Sequence, residues 1–246
     1  YWALEKNVVI CYGGTADEFA QHADVQNYPS LKDKIFFFDG SGTAVGNAWH
    51  YGESGEMLLV RGVEDDFVYE YKIQDEGDTR FVECAVVGYN GTETSVTLPA
   101  YSFDGFPVTA VYDLGKRMSE VRIASKEITF RGDLAADRLY IPAGCEVSTI
   151  MGIRMDIGTL FLGAESMSFG GVVQIDAIVV EPTVREIHCL GYYTPVIYYQ
   201  GTPEEFAENA PVINVPVTAY YDEDGVYPSD GNAYWRFVDG ELVLWQ

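Results

Sequence analysis

The chain has 246 residues, a formal net charge of −23 at pH 7 and 48% hydrophobic residues. It is long enough to bury a substantial core, as one elongated unit or two compact ones. Its negative charge makes nucleic acid and anionic membrane surfaces poor partners, because phosphate binding needs clustered Lys and Arg, and no apolar run approaches the length of a membrane span. The first residue is Tyr1 rather than methionine, so we interpret the chain as a processed piece whose signal peptide would lie outside it.

The start of the chain contains a pattern that returns near its end. The segment VVICYGGTADEFAQHA (residues 8–23) resembles VIYYQGTPEEFAENAP (residues 196–211). Each copy begins with a β-branched and aromatic run typical of a strand, and a threonine is followed three residues later by a glutamate, the capping-box pattern of a helix N-terminus. Each copy therefore predicts a strand, a turn and a short helix. The capping pairs are Thr15 with Glu18 and Thr202 with Glu205.

The likeness between the two ends of the chain continues downstream. Residues 35–60 resemble residues 219–245, with a shared Gly-Asn-Ala triplet and with Trp49 at the position of Trp235. We predict two strands joined by turn residues in each stretch. Internal repetition of this kind indicates an array, and we assign the two copies to closing modules. The modules comprise residues 1–62 and residues 194–246.

The segment between the first module and the centre of the chain, residues 63–98, is predicted to start a new sheet edge. FVYEYKIQDEGDTRFVEC (residues 67–84) has the pattern of a β-hairpin whose turn lies at Glu-Gly-Asp. We therefore expect this hairpin to lead into the array that follows.

Residues 99–200 carry small apolar triplets at regular spacing. The first residues of successive triplets are 18, 21, 18 and 18 positions apart. One such repeat, called a rung here, cannot bury its apolar face alone, whereas stacked rungs share a continuous core. The spacing therefore favours a solenoid over a β-sandwich with evenly spaced strands. The triplets are Val121-Arg122-Ile123, Leu139-Tyr140-Ile141, Leu160-Phe161-Leu162, Ile178-Val179-Val180 and Val196-Ile197-Tyr198.

Three parts of the chain carry a resemblance to one known family. VVGYNGTETSVTLPAYSFDGFPVTAVYD (residues 86–113) is similar to a segment in which a Gly-Tyr-x-Gly turn leads to a V-x-I-P strand and then to G-x-P-V-T-x-I. LYIPAGCEVSTI (residues 139–150) looks like an L-x-I-P…V-x-x-I rung, and the two terminal modules resemble the segment that often closes such arrays. These features resemble the BspA-like leucine-rich repeat proteins of bacterial surfaces.

The resemblance implies a mainly β fold, a leucine-rich-repeat or β-solenoid array with short helices in duplicated closing modules. The family's usual A-F-x-x-C-x-x-L stretch is missing between the rungs, and only SFDGF (residues 102–106) is similar to it. Both a helical convex segment and a plain β-helix coil therefore stay open for each rung.

The sequence offers no recognisable catalytic or metal centre, and we expect no cofactor. The three histidines, His22, His50 and His188, have neither metal-ligand spacing nor a nucleophile elbow around them. Cys189 follows His188, but neighbours on a strand point to opposite faces, which disfavours a catalytic pair. Acidic residues 222–230 could form a weak calcium site, but the spacing of a recognised calcium loop is missing, so we favour a solvated turn.

The four cysteines lie far apart in the sequence and form no Cys-x-x-Cys pair. We interpret them as buried or half-buried thiols that act as small hydrophobic residues, with two disulfides or a metal role as the alternatives that the sequence leaves open. They are Cys11, Cys84, Cys145 and Cys189.

The candidate binding surface follows from strand alternation, because the central residue of each triplet faces away from the outer two. Aromatic and arginine side chains on one exposed face are typical anchors of recognition surfaces. In the alternative, a closing module or neighbouring domain covers this face and makes Tyr140 and Phe161 core residues. The candidate residues are Arg122, Tyr140, Phe161, Val179 and Ile197, flanked by a second column of Glu120, Arg138, Thr159, Ala177 and Pro195.

The sequence and the resemblance together predict a non-catalytic, secreted or cell-surface bacterial repeat protein that mediates adhesion. Its partner would be a host or community protein or glycan, with no nucleic acid and no membrane insertion. A carbohydrate-binding or carbohydrate-active β-solenoid is the first alternative, and it requires two carboxylates across a groove lined by Tyr or Trp. A structural spacer in a larger surface protein is the second.

Overall fold

The structure, a computed structural model, describes residues 10–15, 17–19, 35–39, 47–51, 57–61, 66–76, 79–102, 106–149, 154–169, 172–189, 195–222 and 230–245. The chain divides into two compact units. The first comprises Tyr1–Gly91 with Ser102–Pro107, and the second comprises Thr92–Tyr101 with Val108–Gln246. The fold is mainly β, as the sequence predicted, and it contains long parallel sheets. Among the described residues, none of the helices has the length and apolar character needed to cross a membrane.

Six described strands of the first unit pair in chain order. They are β1 (Ile10–Tyr12), β2 (Ile35–Phe38), β3 (Ala48–Tyr51), β4 (Met57–Arg61), β5 (Phe67–Glu76) and β6 (Thr79–Tyr89). β2 pairs parallel with both β1 and β3, and the remaining pairs are antiparallel. The long β5–β6 pair confirms the hairpin predicted for residues 67–84.

The second unit contains a nine-stranded sheet, called the main sheet here. Its strands pair in parallel from one end to the other, except that the last pair is antiparallel. In order they are β7 (Ser95–Leu98), β9 (Met118–Ile123), β11 (Leu134–Ile141), β13 (Arg154–Leu162), β15 (Val172–Val180), β17 (Val196–Tyr199), β19 (Val217–Tyr221), β20 (Tyr234–Val238) and β21 (Glu241–Trp245).

The strands between those of the main sheet form two further parallel rows in the second unit. One row contains β8 (Val108–Val111), β10 (Glu127–Phe130) and β12 (Glu146–Thr149). The other contains β14 (Ser166–Phe169), β16 (Glu186–Cys189) and β18 (Val212–Ile213). From β7 to β19 the chain thus alternates between the main sheet and these rows, and all five predicted triplets lie on strands of the main sheet.

The core of the second unit is a stack of aliphatic side chains from successive strands of the main sheet. One column of paired residues runs from β9 to β17 in register, and each of its members is fully buried. Burial of one such side chain stabilises the fold by roughly 1.5–3 kcal/mol. The members are Val121, Leu139, Leu160, Ile178 and Ile197.

One residue near the middle of each long strand is left out of the parallel register. On β11 this residue is Asp137, which is exposed between the buried Ala136 and Leu139. At the equivalent position of β13, Gly158 lies so close to β11 that an added Cβ would meet the Asp137 carbonyl oxygen at 2.7 Å. The side-chain alternation shifts by one at this residue, since the buried positions of β11 are Leu134 and Ala136 before it and Leu139 and Ile141 after it.

The two closing modules form the same contacts in their own units. The short C-terminal helix, Pro203–Asn209, has the predicted capping box, in which Thr202 Oγ1 accepts from Glu205 N at 3.2 Å. In the first module, Thr15 Oγ1 accepts from Glu18 N at the same distance. The tryptophan indole N–H donates to a strand carbonyl in each copy. The two bonds are Trp49 Nε1 to Tyr12 O, 2.8 Å, and Trp235 Nε1 to Tyr199 O, 3.0 Å.

The prediction of two strands in the second half of each module was one strand short. Residues 35–60 contain β2, β3 and β4, and residues 219–245 contain β19, β20 and β21 up to Trp245. The additional strand arises because β2 and β19 pair in parallel with the next strand before the antiparallel hairpin begins.

Candidate functional site

The candidate binding residues were predicted on the outward side of the main sheet, called the outer face here. Arg122, Tyr140 and Phe161 lie opposite one another on β9, β11 and β13, since Tyr140 pairs with both of the others. Arg122 is exposed, whereas Tyr140 and Phe161 are half-buried. Arg138 lies two residues before Tyr140 and is also half-buried. These four side chains therefore belong to the outer face, as predicted.

The placement of Ile197 on the outer face is wrong. Ile197 pairs with Ile178, a member of the buried column, and is itself fully buried. Tyr198 takes the predicted place and pairs with Val179. The distance from Ile178 to Ile197 is 19 residues instead of the 18 used in the triplet count, and a shift of one residue moves every side chain to the other face of a strand.

The flanking column is correct over its first four members and wrong at the last. Arg138 pairs with Glu120 and with Thr159, and Thr159 pairs in turn with Ala177. The residue opposite Ala177 is Val196. Pro195, predicted for that position, lies one residue earlier and is buried. The cause is the same one-residue shift of β17.

Val179 is on the outer face but is fully buried, so its predicted exposure is wrong. It forms a cluster with Tyr198, Ala219 and Trp235, all of which are buried, and Leu242 packs against this cluster. The covering residues come from β20 and β21, the last hairpin of the second module. The alternative of a covered face therefore holds at the β15–β19 end of the main sheet.

The sequence alternative named a closing module as the cover of this face but not the hairpin within it that forms the cover. Its turn has two residues, Asp239 and Gly240, with φ of 52° and 82°, a conformation typical of tight type I′ hairpins. Phe237 of this hairpin lies 6.2 Å from Phe161, centroid to centroid. The sequence feature that marks this hairpin is the internal repeat. Phe237 follows Trp235 by two residues, as Tyr51 follows Trp49 in the first copy.

A continuous row of stacked groups crosses the outer face from its open end to the hairpin. The Arg122 guanidinium carbon lies 3.9 Å from the Tyr140 ring centroid. The Tyr140 and Phe161 rings are stacked at 4.3 Å with an interplanar angle of 5°. Both faces of the Tyr140 ring are therefore occupied, one by a cation and one by an aromatic ring, and stacked pairs of this kind contribute about 0.5–1.5 kcal/mol beyond their buried area.

Two ion pairs flank this row of rings. Arg122 Nε lies 2.7 Å from Glu120 Oε1, and Arg138 Nη2 lies 2.6 Å from Glu241 Oε1. The second pair connects β11 to the covering hairpin. Because these side chains are largely exposed, each pair contributes at most about 1 kcal/mol to stability. Their main effect is to fix the direction of the two guanidinium groups.

A second group of charges surrounds Asp137, the residue of β11 that is left out of the register. Arg117 bridges Asp137 and Asp156, with Nε to Oδ1 at 2.8 Å and Nη1 to Oδ2 at 3.0 Å. The hydrogen bond that Arg117 donates to Asp137 is the larger cause and the one to Asp156 the next, and together they raise the pKa of Arg117. A shallow cavity of about 280 Å³ beside them is lined by Asp133 and Arg154, among others. Its lining carries three carboxylates and two cations, and no single charge type dominates it.

The acidic loop predicted as a solvated turn lies mostly outside the described residues, which include Asp222 and Asp230 but not residues 223–229. Asp230 accepts a 2.6 Å hydrogen bond from the Tyr234 hydroxyl and further bonds from Asn232. The bond from Tyr234, followed by those from Asn232, lowers the pKa of Asp230, while the same carboxylate raises the pKa of Tyr234 to about 12. The Asp230 carboxylate thus stabilises the turn before β20 through these hydrogen bonds.

The described residues contain no group of three or more His, Cys, Asp or Glu side chains placed to hold a metal ion. His188 contacts Glu186, two residues earlier on β16, at 2.5 Å. The side chain of Cys189 and all of His22 lie outside the described residues, so the expectation that His188 and Cys189 form no catalytic pair stays a prediction.

Three of the four cysteines, namely Cys11, Cys84 and Cys145, are not joined in disulfides. Burial raises the pKa of Cys11, and burial is also the main cause that raises the pKa of Cys145 to about 11, ahead of the nearby Glu146 and Glu127 carboxylates. For these three residues the thiol interpretation is confirmed and a disulfide is not formed.

Comparison with known proteins gives no relative from which a function could be transferred. No protein-family model, no curated protein sequence and no solved structure matches this chain.

Proposed function

We propose that the chain is a non-catalytic repeat protein of a bacterial surface or secreted fraction that binds another protein through the outer face of its main sheet. The parallel in-register stacking of β7 to β19, with rungs of nearly constant length, supports a short-rung solenoid similar to the BspA-like leucine-rich repeat proteins. The net charge of −23 keeps such a chain soluble and disfavours polyanionic partners.

The observation that carries this proposal is the row of Arg122, Tyr140 and Phe161. Arginine and tyrosine are enriched among the residues that dominate binding energy at protein interfaces. The Arg122 end of the row is solvent-accessible, and Glu120 holds its guanidinium in place. A pre-positioned cation beside a half-buried tyrosine loses little side-chain entropy on binding.

A protein ligand fits the row better than a glycan does. A sugar ring stacks on an aromatic side chain only where one face of that side chain is open. Both faces of Tyr140 are covered, by Arg122 at 3.9 Å and by Phe161 at 4.3 Å. The row therefore offers its edges, the tyrosine hydroxyl and the guanidinium N–H groups, which suit carbonyl and carboxylate acceptors of a polypeptide.

The test is a binding screen of the whole chain against a panel of matrix proteins and a glycan array. The diagnostic variant is Arg122→Glu, and its matched control is Lys126→Glu, since Lys126 is an exposed cation on the connection between β9 and β10. Both variants change the net charge by the same amount. We expect saturable binding to a protein that weakens by about tenfold or more in Arg122→Glu and stays unchanged in Lys126→Glu.

Three outcomes would overturn the proposal. Equal weakening by both variants would assign binding to overall charge. A hit confined to glycans would favour the carbohydrate-binding alternative. No binding in either screen would favour a spacer within a larger protein, which tolerates substitutions along the outer face.

A further inference from the structure

The outer edge of β21 carries peptide groups that the described part of the chain does not use for strand pairing. Asp222 N donates to Trp235 O at 3.1 Å, so the peptide groups of Trp235 face β19. Peptide groups alternate along a strand, so those of Arg236 face β21, where its partner is Val243. The groups of Leu244 must then face the opposite way, outward from the sheet. β21 is the end strand of the main sheet among the described residues.

In the first module, the corresponding edge of β4 is paired with a further strand, β5. Asp39 N donates to Trp49 O at 2.9 Å, so the peptide groups of Trp49 face β2. By the same alternation, those of its cross-strand partner Leu59 face away from β3 and toward β5. There Leu59 pairs with Tyr71. Leu59 of the first module therefore stands where Leu244 stands in the second.

The two leucines differ in exposure in the direction expected when a strand lies beside Leu59 and no described strand lies beside Leu244. Leu59 is 1% exposed, and Leu244 is 39% exposed. Val243, next to Leu244, is also 39% exposed. An edge with free peptide groups and apolar side chains is a template for one further strand.

We propose that the outer edge of β21 binds an extended segment of another protein in the antiparallel orientation that β5 adopts on β4. The segment would place an aromatic residue opposite Leu244, as Tyr71 lies opposite Leu59, and it would be neutral or basic. Lys72 is found opposite Leu58, the counterpart of Val243. The charge of −23 opposes a second copy of this chain as the occupant.

This site is separate from the row of Arg122, Tyr140 and Phe161, because it uses backbone groups of the last strand rather than side chains of the outer face. It therefore stands whether or not the outer face binds a protein.

The probe is a labelled, terminally blocked peptide of residues 67–73 (FVYEYKI), extended by two lysines for solubility and titrated into the whole chain. We expect saturable binding that slows amide exchange at Leu244. A matched peptide, N-methylated at Tyr71, keeps every side chain but lacks the N–H that would donate to Leu244, and we expect it to bind at least about tenfold more weakly.

The protein variant is Leu244→Pro, which removes only an outward-facing N–H and leaves the β20–β21 bonds in place. It should lose peptide binding, while Leu244→Ala should keep most of it. Equal binding of both peptides, or equal binding to the Leu244→Pro chain, would overturn the proposal. A concentration-dependent dimer that the same proline abolishes, with no binding of the peptide, would overturn it in favour of self-association.

Discussion

The two closing modules of this chain differ less in what they contain than in what lies beside them. Each places a tryptophan between a parallel and an antiparallel strand, and ring contacts around it repeat almost unchanged. Trp49 lies 4.9 Å from Phe38, and Trp235 lies 4.9 Å from Tyr221. The first module continues into β5, while β21 of the second ends its sheet among the described residues. The same local sequence pattern thus specifies the module, and its neighbour decides which side chains are buried.

The largest expected effect tests whether the modules are equivalent at their centre. Trp49→Ala and Trp235→Ala each remove a buried indole and leave a strand carbonyl without its donor. Each should lower the stability of its own unit by about 3–5 kcal/mol, measured by denaturant unfolding with a fluorescent probe in each unit. A loss below about 1 kcal/mol for one of them would show that the copies are not equivalent.

The next effect separates the modules at their edges. Leu59→Ala removes a buried side chain on the strand that pairs with β5, and it should lower the free energy of unfolding by about 2–5 kcal/mol. Leu244→Ala removes a side chain that is 39% exposed and should change stability by no more than about 0.5 kcal/mol. Thermal unfolding of the two variants measures the difference, and equal losses would contradict an open edge at β21.

A smaller effect should again be equal in the two modules. Thr15→Ala and Thr202→Ala each break a capping box with the same bond lengths. Each should cost about 1 kcal/mol, and Thr→Ser at the same positions, which retains the hydroxyl, is the control. A loss confined to one threonine would show that only one of the two boxes stabilises its unit.

The smallest effect concerns reactivity rather than stability. Cys11 of the first module occupies the place of Tyr198 in the second, and burial raises its pKa, while burial raises the pKa of Cys145 from 9.0 to about 11. Since only the thiolate reacts, alkylation of Cys145 at pH 8 should be about 100-fold slower than that of an exposed thiol. Peptide mass spectrometry at increasing pH should show the rate rising up to about pH 11.

The sign of the linked stability change follows from the direction of that pKa shift. The folded chain holds the Cys145 proton more tightly than the unfolded chain, so this contribution to stability is present below pH 9 and is lost as the pH rises toward about 11. Rapid alkylation at neutral pH, with the fold intact, would contradict the burial of this thiol.

The sequence predicted the fold where a pattern repeats and failed where a single residue changes the register. The capping boxes, the β5–β6 hairpin and the first four triplets follow from local propensity and spacing, and these predictions are confirmed. The outward placement of Ile197 failed because β17 is shifted by one residue, and no local feature marks such a shift. The burial of Val179 was not assigned from the sequence, where a covered face was only the alternative, since it depends on the β20–β21 hairpin reaching strands that are distant in the sequence.

The most direct test of this account is amide hydrogen exchange at two equivalent residues, Leu59 and Leu244. The Leu59 N–H faces β5 and should be protected, whereas the Leu244 N–H faces outward from the last strand and should exchange at least about 100-fold faster. Adding the peptide of residues 67–73 should then slow exchange at Leu244 and leave Leu59 unchanged. Equal protection of the two amides in the free chain would contradict the account, because it would mean that the second module is closed by a strand as the first one is.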